Sequence, residues 1–72
     1  MKIELSKNDI SFLREKDVYI DPSFDISKDE ALSLLDRVHD IEIECASSEK
    51  KSDLRFASIY ANIADRIENQ IV

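Results

Sequence analysis

The sequence has no glycine and no tryptophan, and only one proline, one cysteine and one histidine among 72 residues. Each absence removes a class of chemistry. Without glycine there is no Gly-rich loop to cradle a phosphate, no dinucleotide fingerprint and no glycine-based hairpin turn. No helix can end on a glycine cap, so Asn, Ser or Lys must serve there. A fold rich in tight β-turns is disfavoured, and helices joined by open connections suit the composition. Cys45 has no internal disulfide partner, and Cys45 with His39 is too little for a zinc site of ordinary Cys/His composition.

Long apolar runs are missing too. The longest uncharged stretch, residues 56–64, falls far short of the roughly 20 apolar residues that a membrane span needs. The first six residues meet an acid at Glu4 and lack the apolar centre of a secretory leader. The expectation is a soluble cytoplasmic protein with a reduced thiol, binding no cofactor and no metal.

Basic residues are outnumbered, 10 against 16 acidic, for a net charge of −6. Nucleic-acid affinity comes largely from Lys and Arg neutralising phosphates. Direct binding to nucleic acid or to an anionic membrane is therefore not expected. The imbalance is local: residues 29–48 contain six acids and only Arg37 as a base.

What is present suffices for one small domain, residues 1–72. Leu, Ile, Val and Phe make up 22 of the 72 residues, above the roughly 20% below which highly charged chains stay disordered. Met1, Ile3 and Leu5 alternate with Lys2 and Glu4, a period of two that predicts a short strand. Ser6 with Asp9 forms a capping box, flanked by Leu5 and Ile10 as a hydrophobic staple, and predicts a helix over about 7–15. Asp17–Ile20 has strand composition, and residues 18–20 could pair with residues 2–5 as a minimal ribbon. Asp21, Pro22 and Ser23 signal a turn.

Ser27 with Glu30 gives a second box, with Ile26 and Ala31 as its staple, and predicts a helix over about 28–48. Its apolar arc holds Ala31, Leu34, Leu35, Val38, Ile41 and Cys45. Leu32, His39, Ile43 and Ala46 flank that arc, which then covers roughly 200°, twice the stripe of a simple surface helix. A third helix over about 53–70 places Phe56, Ile59, Tyr60, Ile63, Ile67 and Ile71 on one face. The short connection between the two long helices, with Lys50 and Lys51 closing the first and Ser52 and Asp53 opening the second, makes them antiparallel. The predicted fold is mainly α: this hairpin packed on a strand–helix–extended N-terminal unit. The surplus apolar arc is covered by that unit or by a second copy of the chain in a homodimer.

Few residues suggest chemistry. His39 and Cys45 diverge by about 120° on one helix and cannot form a nucleophile–base pair. Asp17, Asp21, Asp25 and Asp29 recur every four residues, but a calcium loop started at Asp21 puts Ile26 where glycine is needed and Leu32 where a bidentate glutamate is needed. Glu42 projects into the apolar arc, which predicts a donor from the third helix, Tyr60 or Arg55; the alternatives are a helix that distorts or ends before residue 42, or a pocket that opens there. Phe12, Tyr19 and Phe24 are expected to close one end of the core. No catalytic constellation emerges, so the chain reads as a non-enzyme.

The one candidate functional surface is acidic. Asp29, Asp36, Asp40 and Glu44 fall within about 80° of arc on the outer face of the second helix. Asp36–Asp40 and Asp40–Glu44 are like-charge i,i+4 pairs, each costing about 0.2–0.5 kcal/mol. Such a face suits a basic protein partner and predicts a small interaction or regulatory module. Two alternatives stand beside it: an acidic mimic that occupies the groove of a nucleic-acid-binding protein, and a structural subunit of a larger assembly.

Overall fold

The structure is a computed structural model that describes residues 1–21, 23 and 25–71. The expected turn residue Pro22 and the expected core aromatic Phe24 lie outside the described residues. Three helices account for the regular structure: α1 (Lys7–Glu15), α2 (Lys28–Ala46) and α3 (Lys51–Ile71). Among the described residues there is no strand, so the expected strand at 2–5 and its ribbon with 18–20 do not form.

The alternation at the N-terminus is real as burial but does not build a ladder. Ile3 is buried and Leu5 half-buried, while Lys2 and Glu4 are exposed. The segment finds polar partners elsewhere. Met1 and Ile26 exchange backbone hydrogen bonds, each N–H donating to the other's carbonyl at 2.7 Å. The Gln70 side chain, one residue from the end of α3, accepts from the Glu4 amide at 2.6 Å and donates to the Glu4 carbonyl at 2.8 Å. One amide side chain thus stands in for a neighbouring strand.

Helix α1 starts as its sequence dictates. The Ser6 hydroxyl accepts from the Asp9 amide at 3.1 Å, and the Asp9 carboxylate accepts from the Ser6 amide at 3.2 Å. Its other end explains the failed strand at 18–20. Val18 N–H donates to the Leu13 carbonyl at 2.9 Å and Asp17 N–H to that of Arg14 at 3.0 Å, the paired bonds of a Schellman motif. Asp17 takes the left-handed position at φ 60° that glycine usually fills. Val18 is the motif's apolar closing residue, buried with Leu13. Its β-branched side chain closes a helix instead of entering a sheet.

In α2 only half of the predicted box forms: the Ser27 hydroxyl accepts from the Glu30 amide at 3.1 Å. The helix ends at Ala46, two residues early, and α3 begins at Lys51, two residues early. Ser48 drives both shifts. Its hydroxyl donates to Asp53 Oδ2 at 2.7 Å and accepts from the Lys50 amide at 3.2 Å. Lys50 and Lys51 therefore belong to the connection and the start of α3, not to the last turn of α2. Asp53 sits in the first turn of α3, where a carboxylate meets the free N–H groups.

Helices α2 and α3 pack along one another as an antiparallel hairpin. Between them lie Ala31, Val38, Ile41 and Cys45 of α2 and Tyr60, Ile63, Ala64 and Ile67 of α3, all buried. The N-terminal unit covers one side of this hairpin with Ile3, Leu13 and Val18. Phe12 packs edge-on against Phe56 and Tyr60, with ring centroids 6.0 and 6.4 Å apart. The buried Tyr60 hydroxyl donates to the Phe12 carbonyl at 2.8 Å. Asp9, its side chain only 7% exposed, receives two hydrogen bonds from Arg66. Each of the three polar links holds the N-terminal unit to α3.

Candidate interaction surface

All four residues of the predicted acidic face are exposed on α2. Asp29 stands in the first turn, where the helix dipole favours it. Asp36, Asp40 and Glu44 follow along the outer side. The ion pairs among the described residues join Met1 to Asp25, His39 to Glu42 and Arg66 to Asp9, so the row carries its charge without a close basic neighbour. Arg37, the only base in this stretch of sequence, does not neutralise it.

Glu42 is placed differently from expectation. Its carboxylate lies 3.3 Å from His39 Nδ1, one turn back on the same helix. Neither Tyr60 nor Arg55 reaches it. The carboxylate needs no buried donor, because this part of the apolar arc is not covered: Glu42 and His39 are both half-buried. Tyr60 is committed to α1 instead. Its burial, followed by the nearby Glu15 charge and Cys45 thiol, pushes the phenol up to about 12.

The uncovered part of the arc is the most pronounced feature of the surface. Ile43 is 61% exposed, Leu54 47% and Leu32 41%. At roughly 100° per residue, Leu32, Leu35, His39, Ile43 and Ala46 share the flank of α2 turned away from Leu34 and Glu30. Leu54, Ala57 and Ala61 share the flank of α3 turned away from Gln70 and Arg66. The N-terminal unit packs on the other side, against Phe56, Tyr60, Arg66 and Gln70. These two apolar flanks therefore form one open face of the hairpin. The α2 half of this face is legible in the width of its apolar arc. The α3 half shows in the sequence only as the spacing of Leu54, Ala57 and Ala61 beside a much stronger buried stripe.

A second exposed region surrounds residues 19–21. A groove of about 470 Å³ is lined by Ile10, Arg14, Val18, Tyr19, Ile20 and Asp21. A smaller one of about 260 Å³ lies on the other side of the same segment, against Ile3, Ile26 and Leu34. Tyr19, expected to close the core, is instead 72% exposed. Asp21 holds a local turn: the Ser23 hydroxyl (2.5 Å) and amide (2.9 Å) both donate to its Oδ1, and they keep its carboxyl below the ordinary carboxylate range.

Cys45 is a buried free thiol in the helix interface. Among the described residues no group of His, Cys, Asp and Glu is placed to hold a metal ion, and no helix is long and apolar enough to cross a membrane. No protein-family model, curated protein or solved structure matches the chain.

Proposed function

We propose that this protein is a small non-enzymatic interaction module that binds another protein through the hairpin. The observation that carries this reading is the open face with Leu32, Ile43 and Leu54 exposed, next to a row of unneutralised carboxylates on the same helix. Each feature alone is ordinary on a small protein. Together they keep an apolar strip in water and hold like charges side by side, each at some cost in stability.

A protein partner is favoured over mimicry of nucleic acid on grounds of charge density. From Asp29 to Glu44 the row covers roughly 22 Å of helix. Duplex DNA presents about thirteen phosphates over that length, against four carboxylates.

The test is affinity capture with mass spectrometry, using the wild type and two variants. Asp36→Lys/Asp40→Lys/Glu44→Lys reverses the acidic row, and Leu32→Ser/Ile43→Ser/Leu54→Ser makes the open face polar. All six positions are exposed, so both variants should fold. At least one of them should lose specific partners. Retention of every partner by both would overturn the reading. Competition by duplex DNA for the captured partner would shift the assignment to nucleic-acid mimicry.

A further inference from the structure

The open face has a definite shape and a definite charge. Closing the hairpin over residues 47–50 brings Ile43 level with Leu54 at the loop end. Further along, Leu35 and Leu32 make the α2 ridge, while α3 presents the small side chains of Ala57 and Ala61, with Glu68 in line with them at the far end. Small side chains on one helix beside branched ones on the other leave a shallow apolar trough along the helix pair. Its length is that of the hairpin, in a molecule 37 Å long and 21 by 18 Å across. This is a seat for another helix lying along the pair, as in helix-in-groove recognition.

The borders of the trough are acidic on both sides. Asp36 stands on the α2 border and Asp65 on the α3 border, and Glu68 lies in line with Ala57 and Ala61 at the far end, all exposed. Basic side chains occur only at its ends: Lys28 at one, Lys50 and Lys51 at the other. Arg66 is bound to Asp9 on the opposite side of the hairpin. His39, in the middle, is already paired with Glu42. A second copy of the chain would bring a further −6 against this acidic face. A helix with basic flanks would meet opposite charge along both borders.

We infer that the open face binds a basic amphipathic helix of a partner protein, with apolar anchors over Leu35, Ile43 and Leu54 and Lys or Arg against Asp36, Asp65 and Glu68. The inference rests on the interaction-module reading and names its partner class.

The probe is a synthetic peptide of about 18 residues, long enough to match the trough. It carries leucine at i, i+3, i+4 and i+7 and lysine on both flanks; its twin carries glutamate in place of lysine. Binding to the full chain is followed by fluorescence anisotropy, and circular dichroism checks that each variant is folded. The lysine peptide should bind at least tenfold more tightly than its glutamate twin. Ile43→Ser/Leu54→Ser should weaken it at least tenfold, and Asp65→Lys/Glu68→Lys should weaken it and flatten its salt dependence. Asn62→Lys/Asn69→Lys, exposed on the outer side of α3, should leave affinity within about threefold.

Equal binding of the two peptides, or an equal loss in the Asn62→Lys/Asn69→Lys variant, would overturn the inference. So would a concentration-dependent dimer by light scattering that Ile43→Ser/Leu54→Ser abolishes, because the face would then be filled by a second copy. If the peptide fails while partner capture still depends on one of the two surfaces, the partner class is wrong and the interaction reading stands.

Discussion

Arg66 and Asp9 meet through two parallel hydrogen bonds, Nε to Oδ2 at 2.9 Å and Nη2 to Oδ1, and the same Oδ2 also accepts from the Ser6 amide. One carboxylate therefore caps α1 locally and anchors it to α3. Aspartate is the shorter residue for a capping box, but its reach here leaves the second face of the carboxylate free for a guanidinium.

Removing Arg66 should expose the value of that arrangement. Arg66→Ala leaves a nearly buried carboxylate with only the helix cap to satisfy it. Half-exposure of Arg66 moderates the loss, so a destabilisation of about 1.5–3 kcal/mol is expected. Arg66→Lys should recover only part of it, because an ammonium cannot make the bidentate pair. Urea denaturation of the two variants gives the comparison.

Asp17 offers a gain. It sits at φ 60°, a conformation that costs a residue with a side chain roughly 1–2 kcal/mol. Asp17→Gly relieves that cost but gives the unfolded chain more freedom, for a net stabilisation of about 0.5–1 kcal/mol. Asp17→Val should destabilise by more than Asp17→Gly stabilises, since a β-branched residue fits this region worst. The urea midpoint should move in opposite directions for the two.

Tyr60 should impose an alkaline limit. Its phenol ionises near 10.0 when unfolded and near 12 in the fold. Between those values the folded state holds a proton that the unfolded state has released, so stability falls as pH rises. Below pH 10 the contribution is constant. Tyr60→Phe leaves the Phe12 carbonyl without its donor, and should cost about 1–2 kcal/mol at neutral pH. Its deficit relative to the wild type should shrink between pH 10 and 12 in thermal melts.

Asp40 is predicted to trade stability against binding. It takes part in both like-charge pairs of the α2 row, so Asp40→Lys removes two repulsions and creates two attractions. A stabilisation of about 0.5–1.5 kcal/mol follows. If the row contacts a basic partner, the same variant captures less of it. A variant that gains stability and keeps all binding would leave the row as a solvated surface.

The parts of the fold that were legible in the sequence are those set by near neighbours. Ser6 and Ser27 announce α1 and α2 because a capping hydroxyl and its amide lie three residues apart. The hairpin follows from two long apolar faces and a short link. What escaped depends on distance or on competition between equals. Nothing near Asp9 points to Arg66, which lies 57 residues away. Ser47, Ser48, Ser52 and Asp53 are all plausible cap residues, and only the Ser48 hydroxyl decides between them. A donor for Glu42 on α3 is required only if its whole arc is buried. With that flank open, the nearest partner wins, and His39 is one turn away. Asp29, Asp36, Asp40 and Glu44 are exposed on α2, whereas the open apolar face is a single surface only with α3 placed beside α2.

The three polar links from the N-terminal unit to α3 span 48, 57 and 66 residues, while the hairpin closes over a four-residue connection. Loop closure makes the hairpin quick to form and the docking of α1 slow. During synthesis the order is stricter. Residues 1–20 leave the ribosome before Tyr60, Arg66 and Gln70 are made. The apolar side of α1 therefore waits uncovered until α3 has been made, and α1 gains its partner only after both helices of the hairpin exist.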